Sequence, residues 1–221
     1  MRSLAEIYDI SANRKGGSDA LEGLLTPADP GQANQSDDRW LSTFSKHIFN
    51  AGFNWKVVDT KWPGFEEAFK GFDPGRVAMM DDEWFDSLLT DTRIVRHGPK
   101  IRAVQENAVF FTEAAAEFGS VTKMIADWPL EDYIGLLDLL KSRGTRLGGN
   151  TGQYALRFGG KDSFVLGRDV VARLIAEGVV DKPPTSKTAM RKVQDAFNTW
   201  HEESGAGLTR ISRILAFSVG D

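Results

Sequence analysis

The chain has no cysteine among its 221 residues and three histidines, His47, His97 and His201. The missing thiols exclude a disulfide scaffold, thiol catalysis, an iron–sulfur cluster and any cysteine-containing zinc site. So few histidines argue against an all-nitrogen zinc centre as well, and neither a metal nor a cofactor is expected. Long apolar runs are missing too. No stretch approaches the roughly 20 residues that cross a bilayer, and Met1-Arg2-Ser3-Leu4-Ala5-Glu6 lacks the apolar core of a secretory signal. A cytoplasmic protein with no membrane partner is therefore expected. Basic excess is absent: 27 Lys and Arg stand against 31 Asp and Glu, a formal charge of −4. Such a balance offers no global attraction to a phosphate backbone, so nucleic-acid contact would have to rest on a local patch. Strand signals are scarce, and Ser163-Phe164-Val165-Leu166 is the one short β-like run, which also fits an extended buried link.

With 41% hydrophobic and 26% charged residues, the chain has the composition of a globular protein that buries a sizeable core. Residues 1–36 carry the breakers Arg14-Lys15-Gly16-Gly17-Ser18 and Pro27-Ala28-Asp29-Pro30-Gly31. They read as a partly flexible arm with one short helix near Asp19 to Leu25. From 37 to 221 the pattern is helical. Trp40, Leu41, Phe44 and Ile48 recur at helical spacing behind a cap at Asp37. Pro63 is read as opening a second helix, Asp73-Pro74 as a cap with proline at the first helical position, and Asp81 as a further cap. Gly98-Pro99 and Pro129 precede two longer patterns. Without repeats, low-complexity tracts or heptads, this predicts a compact all-α, multi-helix protein of two closely packed helical subdomains.

Local basic patches exist. Arg93, Arg96, His97, Lys100 and Arg102 fall within ten residues, and Arg143 and Arg146 stand just before a glycine-rich turn. Taken alone, such runs fit a solvated face equally well.

The segment Leu140 to Ala155, with Gly144, Gly148, Gly149 and Gly152, reads as a helix, a tight hairpin near 143–152 and a second helix. Asp169 follows Gly149 by twenty residues. This order resembles the helix-hairpin-helix DNA glycosylase superfamily, whose catalytic aspartate follows the hairpin at about this distance. A second set of motifs comprises Ala51-Gly52-Phe53-Asn54-Trp55, Phe72-Asp73-Pro74, Val77-Ala78-Met79-Met80 and Arg93-Ile94-Val95-Arg96-His97-Gly98-Pro99-Lys100-Ile101. In kind and order it is similar to the DNA-3-methyladenine glycosylase I family, well over residues 37–118 and elsewhere at superfamily level. Two departures stand out. Members typically carry a zinc clasp of cysteines and histidines, which this chain cannot build. They also place a glutamate eight residues before the pocket tryptophan, where this chain has His47.

The resemblance implies a monomeric, monofunctional glycosylase that excises alkylated purines such as 3-methyladenine from double-stranded DNA by N-glycosidic hydrolysis, in base-excision repair. Trp55 would be the wall against which the flipped base stacks, and a cationic base over its face gains roughly 0.5 to 2 kcal/mol. Trp55 at a core position is the alternative. Phe53 would be a wedge in the gap left by the base, or a cap on the core. Asp169 would stabilise positive charge on the sugar and orient water; a helix cap fits its type equally. His47 is placed by the resemblance at the pocket, where a neutral imidazole could meet a base edge. Gly148 and Gly149 would present amides to a phosphate, with Arg146 and Thr151 adding contacts and Lys100, Arg96 and His97 holding a second stretch of backbone. A lyase would need a nucleophilic lysine beside the hairpin, where Asn150, Thr151 and Gly152 stand. The competing reading is a noncatalytic helix-hairpin-helix DNA-binding or structural protein.

Overall fold

The computed structural model describes residues 1–220, Pro30 by its backbone alone. Along the chain run α1 (Leu4–Lys15), α2 (Ser18–Glu22), α3 (Pro30–Ala33), α4 (Asp37–Asn50), α5 (Trp55–Ala68), α6 (Pro74–Ala78) and α7 (Asp82–Thr90). They are followed by α8 (Gly98–Phe118), α9 (Val121–Asp127), α10 (Tyr133–Arg143), α11 (Asn150–Phe158), α12 (Arg168–Ala176), α13 (Lys187–Ser204) and α14 (Leu208–Phe217). Among the described residues there is no strand, as the sequence predicts for an all-α chain. Ser163–Leu166 is the extended buried link. Its amides are taken by hydroxyls of α14: Ser163 N donates to Thr209 Oγ1 (3.1 Å) and Val165 N to Ser212 Oγ (3.2 Å). Side-chain acceptors thus do what a neighbouring strand would otherwise do.

The helices form two compact units. One comprises residues 1–30, 128–136 and 160–221, the other 31–127 and 137–159. In the first, the N-terminal residues differ from the expected arm. Helix α1 precedes the short helix read from the sequence, opened by a reciprocal capping box in which the Ser3 hydroxyl accepts from Glu6 N and the Glu6 carboxylate accepts from Ser3 N. Its Leu4 and Ile7 are buried, and it packs against α13 and α14. Ser11 Oγ donates to Ile214 O (2.8 Å), and Trp200 Nε1 donates to Arg2 O (3.0 Å). The Arg2 guanidinium pairs with the buried Glu177 carboxylate at 2.8 Å.

The second unit is built around α4, whose Trp40, Phe44 and Ile48 are buried and which packs against α5, α8, α9 and α11. Two sequence expectations change here. Asp37 opens α4 but caps α9, its carboxylate accepting from Val121 N (3.0 Å) and Thr122 N (2.8 Å). Pro63 lies inside α5, not at its start; the helix begins at Asn54, whose side chain accepts from Lys56 N at 3.0 Å. A proline there removes one helical hydrogen bond, on a stretch where Asp59 and Pro63 face solvent.

Between α10 and α11 the hairpin is held by one buried amide. Asn107 of α8 accepts from Thr145 N and donates to Thr145 O, both at 2.9 Å. The turn is too tight for side chains at two of its glycines. A Cβ on Gly152 would lie 2.4 Å from Leu147 O, and one on Gly144 would lie 2.7 Å from Leu140 O. The obstacle at Gly152 is backbone and cannot swing aside. Gly152→Ala is therefore expected to lower stability by about 1–3 kcal/mol, read as a lower urea midpoint.

Candidate base-binding site

Four rings meet in the second unit. His47 comes from the last turns of α4 and Trp55 is the first residue of α5. Tyr154 and Phe158 stand four apart on α11 and so share one face of it. Close approach of α11 to α4 depends on Gly159, where a Cβ would lie 2.1 Å from the Trp40 ring. The His47 imidazole lies nearly parallel to Tyr154 (6.4 Å between centroids, 12°) and stacks on Phe158 (5.0 Å, 30°). Trp55 meets all three others edge-on, at 5.7 Å from His47, 5.8 Å from Tyr154 and 6.1 Å from Phe158. His47 is 7% exposed, whereas Trp55 and Phe158 keep 42% and 52% of their surface. A buried foot with two exposed apolar faces is what a stacking platform needs.

Burial, with a smaller contribution from the Lys46 cation, pushes the His47 imidazole down to about 4. Lys46 is itself paired with Asp59 at 2.7 Å. At neutral pH the imidazole is uncharged, and among the described residues no hydrogen bond reaches either ring nitrogen. Because the folded value lies below the unfolded one of about 6.5, the unfolded chain binds a proton between pH 6.5 and 4 that the folded chain refuses. The stability this gives is full above pH 6.5 and falls as pH drops towards 4. Between pH 7 and 5 the wild type is expected to lose roughly 2 kcal/mol more than His47→Phe, measured by urea unfolding at both values.

The turn joining α4 to α5 explains Lys100. The sequence placed it on a DNA phosphate, but it is 4% exposed, and its ammonium donates to Phe49 O (3.0 Å) and Ala51 O (2.6 Å). Those carbonyls end α4, where a cation is favoured. The ammonium also lies 4.3 Å from the centre of the Phe53 ring. Burial and the Arg146 guanidinium push it down to about 8. Lys100 thus braces the turn that carries Phe53 and Trp55. Lys100→Met is expected to lower stability by about 1.5–3 kcal/mol while leaving the salt dependence of DNA binding as in the wild type, a pairing of results that urea unfolding and a salt titration test together.

The other predicted contacts divide by exposure. Phe53 is exposed and edge-on to His97 at 6.0 Å, so it is not core. His97 caps α8, its Nδ1 accepting from Lys100 N at 3.3 Å. Arg96 is exposed, as is Arg146, the latter with φ 61° at the hairpin. Gly149 is exposed with φ 60°, while Gly148 and Thr151 are half-buried. Arg93 is bound to Asp91 and Glu67, and Arg102 lies over the Phe85 ring.

Comparison with known proteins gives this geometry a context. Residues 30–133 match the methyladenine glycosylase family model. That segment is similar to the methyladenine glycosylases over just under half of the chain. DNA-3-methyladenine glycosylase 1 of Escherichia coli K12 is 34% identical over 90 residues, 36% of this chain and 48% of that protein. DNA-3-methyladenine glycosylase of Haemophilus influenzae is 34% identical over 58 residues, 26% of this chain and 31% of that protein. The match thus spans less than half the length of either relative. In fold, the chain is similar to 3-methyladenine DNA glycosylase I of Staphylococcus aureus, with TM-score 0.53, 23% identity, 62% of this chain and 79% of that one. It is also similar to the 8-oxoguanine glycosylase/lyase of Methanocaldococcus jannaschii, solved with DNA containing 8-oxoguanine, with TM-score 0.54, 13% identity and 96% of each chain.

The matched segment contains His47 and Trp55, but Tyr154 and Phe158 lie beyond it. Neither was singled out from the sequence. Their spacing of four on a helix behind the hairpin is the available signal, and it looks the same as a core pair. Asp169 belongs to the other unit. It does not cap α12: Gly167 is the cap residue, and Asp169 sits exposed in the first turn with no hydrogen-bond partner among the described residues.

Proposed function

We propose that the chain is a monofunctional DNA glycosylase that removes alkylated purines such as 3-methyladenine from double-stranded DNA. The observation that carries this reading is the ring cluster of His47, Trp55, Tyr154 and Phe158, with Trp55 and Phe158 exposed and with His47 and Trp55 inside the segment that matches the methyladenine glycosylase model. In duplex DNA the target base is inaccessible, so the enzyme extrudes it at a cost of a few kcal/mol and recovers this by stacking. An alkylated ring nitrogen makes the base cationic, and the π faces favour that charge over an unmodified base. Exposed Phe53 fills the vacated stack.

In the reaction the C1′–N bond breaks, its electron pair leaves with the purine, and the cationic base departs neutral. Positive charge develops on the sugar, water adds to C1′, and its proton returns to solvent. The superfamily resemblance gives Asp169 the part of stabilising that charge and orienting the water; its exposure and its freedom from other bonds among the described residues are compatible with that part. Backbone amides of Gly148 and Gly149, with Arg146, Arg96 and Thr151, hold the phosphates. Both carbonyls of the α4 terminus occupy Lys100, so it is left out of that set.

The test is incubation with alkylated duplex DNA followed by alkali, which cleaves at abasic sites. Strand breaks above the protein-free control are expected. Binding without breaks would instead support a noncatalytic helix-hairpin-helix protein.

A further inference from the structure

The ring cluster contains no acid. His47, Trp55, Tyr154 and Phe158 carry no negative charge, and the charged groups that act on the imidazole, Lys46 and Asp59, are paired with each other at 2.7 Å. The imidazole is the one nitrogen-bearing edge in the cluster besides the Trp55 indole, and its nitrogens have no partner among the described residues. A neutral imidazole offers one donor and one acceptor, and which nitrogen plays which part is set by the group it meets. A carboxylate would only accept, and so would demand a donor on the base, such as an amino group.

The π faces of the rings do not read the 6-position of a purine, and the Tyr154 hydroxyl, which both donates and accepts, discriminates against neither an amino nor an oxo group there. Those faces respond to the positive charge that ring alkylation creates, whichever substituent the purine bears. Nor do the four rings leave a slot between them, among the described residues, that would select by thickness or tilt. The centroid separations within the cluster run from 5.0 to 6.4 Å, whereas a base between two rings needs about 7 Å, twice a stacking distance. A base therefore stacks on an exposed face, that of Trp55 or Phe158, whose ring centres lie 5.7 and 5.0 Å from that of His47.

We propose that this base site accepts ring-N-alkylated purines carrying either a 6-amino or a 6-oxo group, with His47 as the residue that sets this breadth. The inference rests on the glycosylase reading above. Its probes are 3-methyladenine, with an amino edge, and 7-methylguanine, with an oxo edge.

Duplex DNA methylated with a radiolabelled methyl donor is incubated with wild type, His47→Glu and His47→Gln, and the released bases are separated. Wild type is expected to release both bases above the spontaneous rate. His47→Glu, an acceptor only, is expected to lower 7-methylguanine release at least about tenfold relative to 3-methyladenine. His47→Gln, whose amide both donates and accepts, is expected to keep the wild-type ratio of the two bases whatever its effect on the overall rate. If His47→Glu does not fold by circular dichroism, wild type and His47→Gln decide. Release of 3-methyladenine alone by wild type overturns the inference and leaves the glycosylase reading standing, and an unchanged base ratio in folded His47→Glu overturns the role of His47. Release of neither base overturns the glycosylase reading and this inference with it.

Discussion

Asp169→Asn is expected to fold and bind DNA like the wild type while excision of 3-methyladenine falls about 10²- to 10³-fold. The side chain is exposed and makes no hydrogen bond among the described residues, so the substitution breaks nothing that holds the fold. Its one local contribution is a negative charge in the first turn of α12, worth about 0.3–1 kcal/mol against the helix dipole. Asparagine has the same size and keeps a polar head, but it cannot offset positive charge on the sugar. The loss therefore belongs in the rate of base release under single-turnover conditions, not in DNA affinity. Release within about threefold of wild type, well short of the expected loss, would remove Asp169 from the chemistry.

The parts of the fold legible in the sequence are those fixed by near neighbours. Asp73 accepts from Arg76 N and Asp81 from Trp84 N, each at 2.8 Å, and both caps span three residues. Such a contact is available to the chain before any tertiary structure forms, so residue type and spacing reveal it. Asp37 shows the limit. It stands where a cap for α4 would stand, yet its carboxylate binds amides more than 80 residues away, at Val121 and Thr122. Lys100 is the same case with a larger consequence. Its partners, Phe49 O and Ala51 O, lie about 50 residues back, and without them a lysine in a basic run looks like a phosphate contact. At the site, the motif containing Trp55 was legible by resemblance. The rings of Tyr154 and Phe158 were not, because an aromatic pair at helical spacing looks the same whether its face is covered or open; only the fold distinguishes the two.

Trp55→Ala is expected to weaken capture and excision of the damaged base by about 5- to 150-fold, the equivalent of the roughly 1–3 kcal/mol that stacking one base on an aromatic ring contributes. Binding to undamaged duplex is expected to stay within about twofold, because the ring has no base to stack on until a nucleotide leaves the helix. The geometry favours a clean result. Trp55 is the first residue of α5 and 42% exposed, so truncation shortens a surface ring at a helix end and opens no sealed cavity. Its edge contacts to His47, Tyr154 and Phe158 are lost, but the His47–Phe158 stack at 5.0 Å remains. Trp55→Phe, which keeps a smaller π face, should fall between alanine and wild type. Two duplexes of one sequence, with and without the lesion, make the measurement. Equal losses on both would make Trp55 a general DNA contact, whereas a loss confined to the damaged duplex ties the ring to the extruded base.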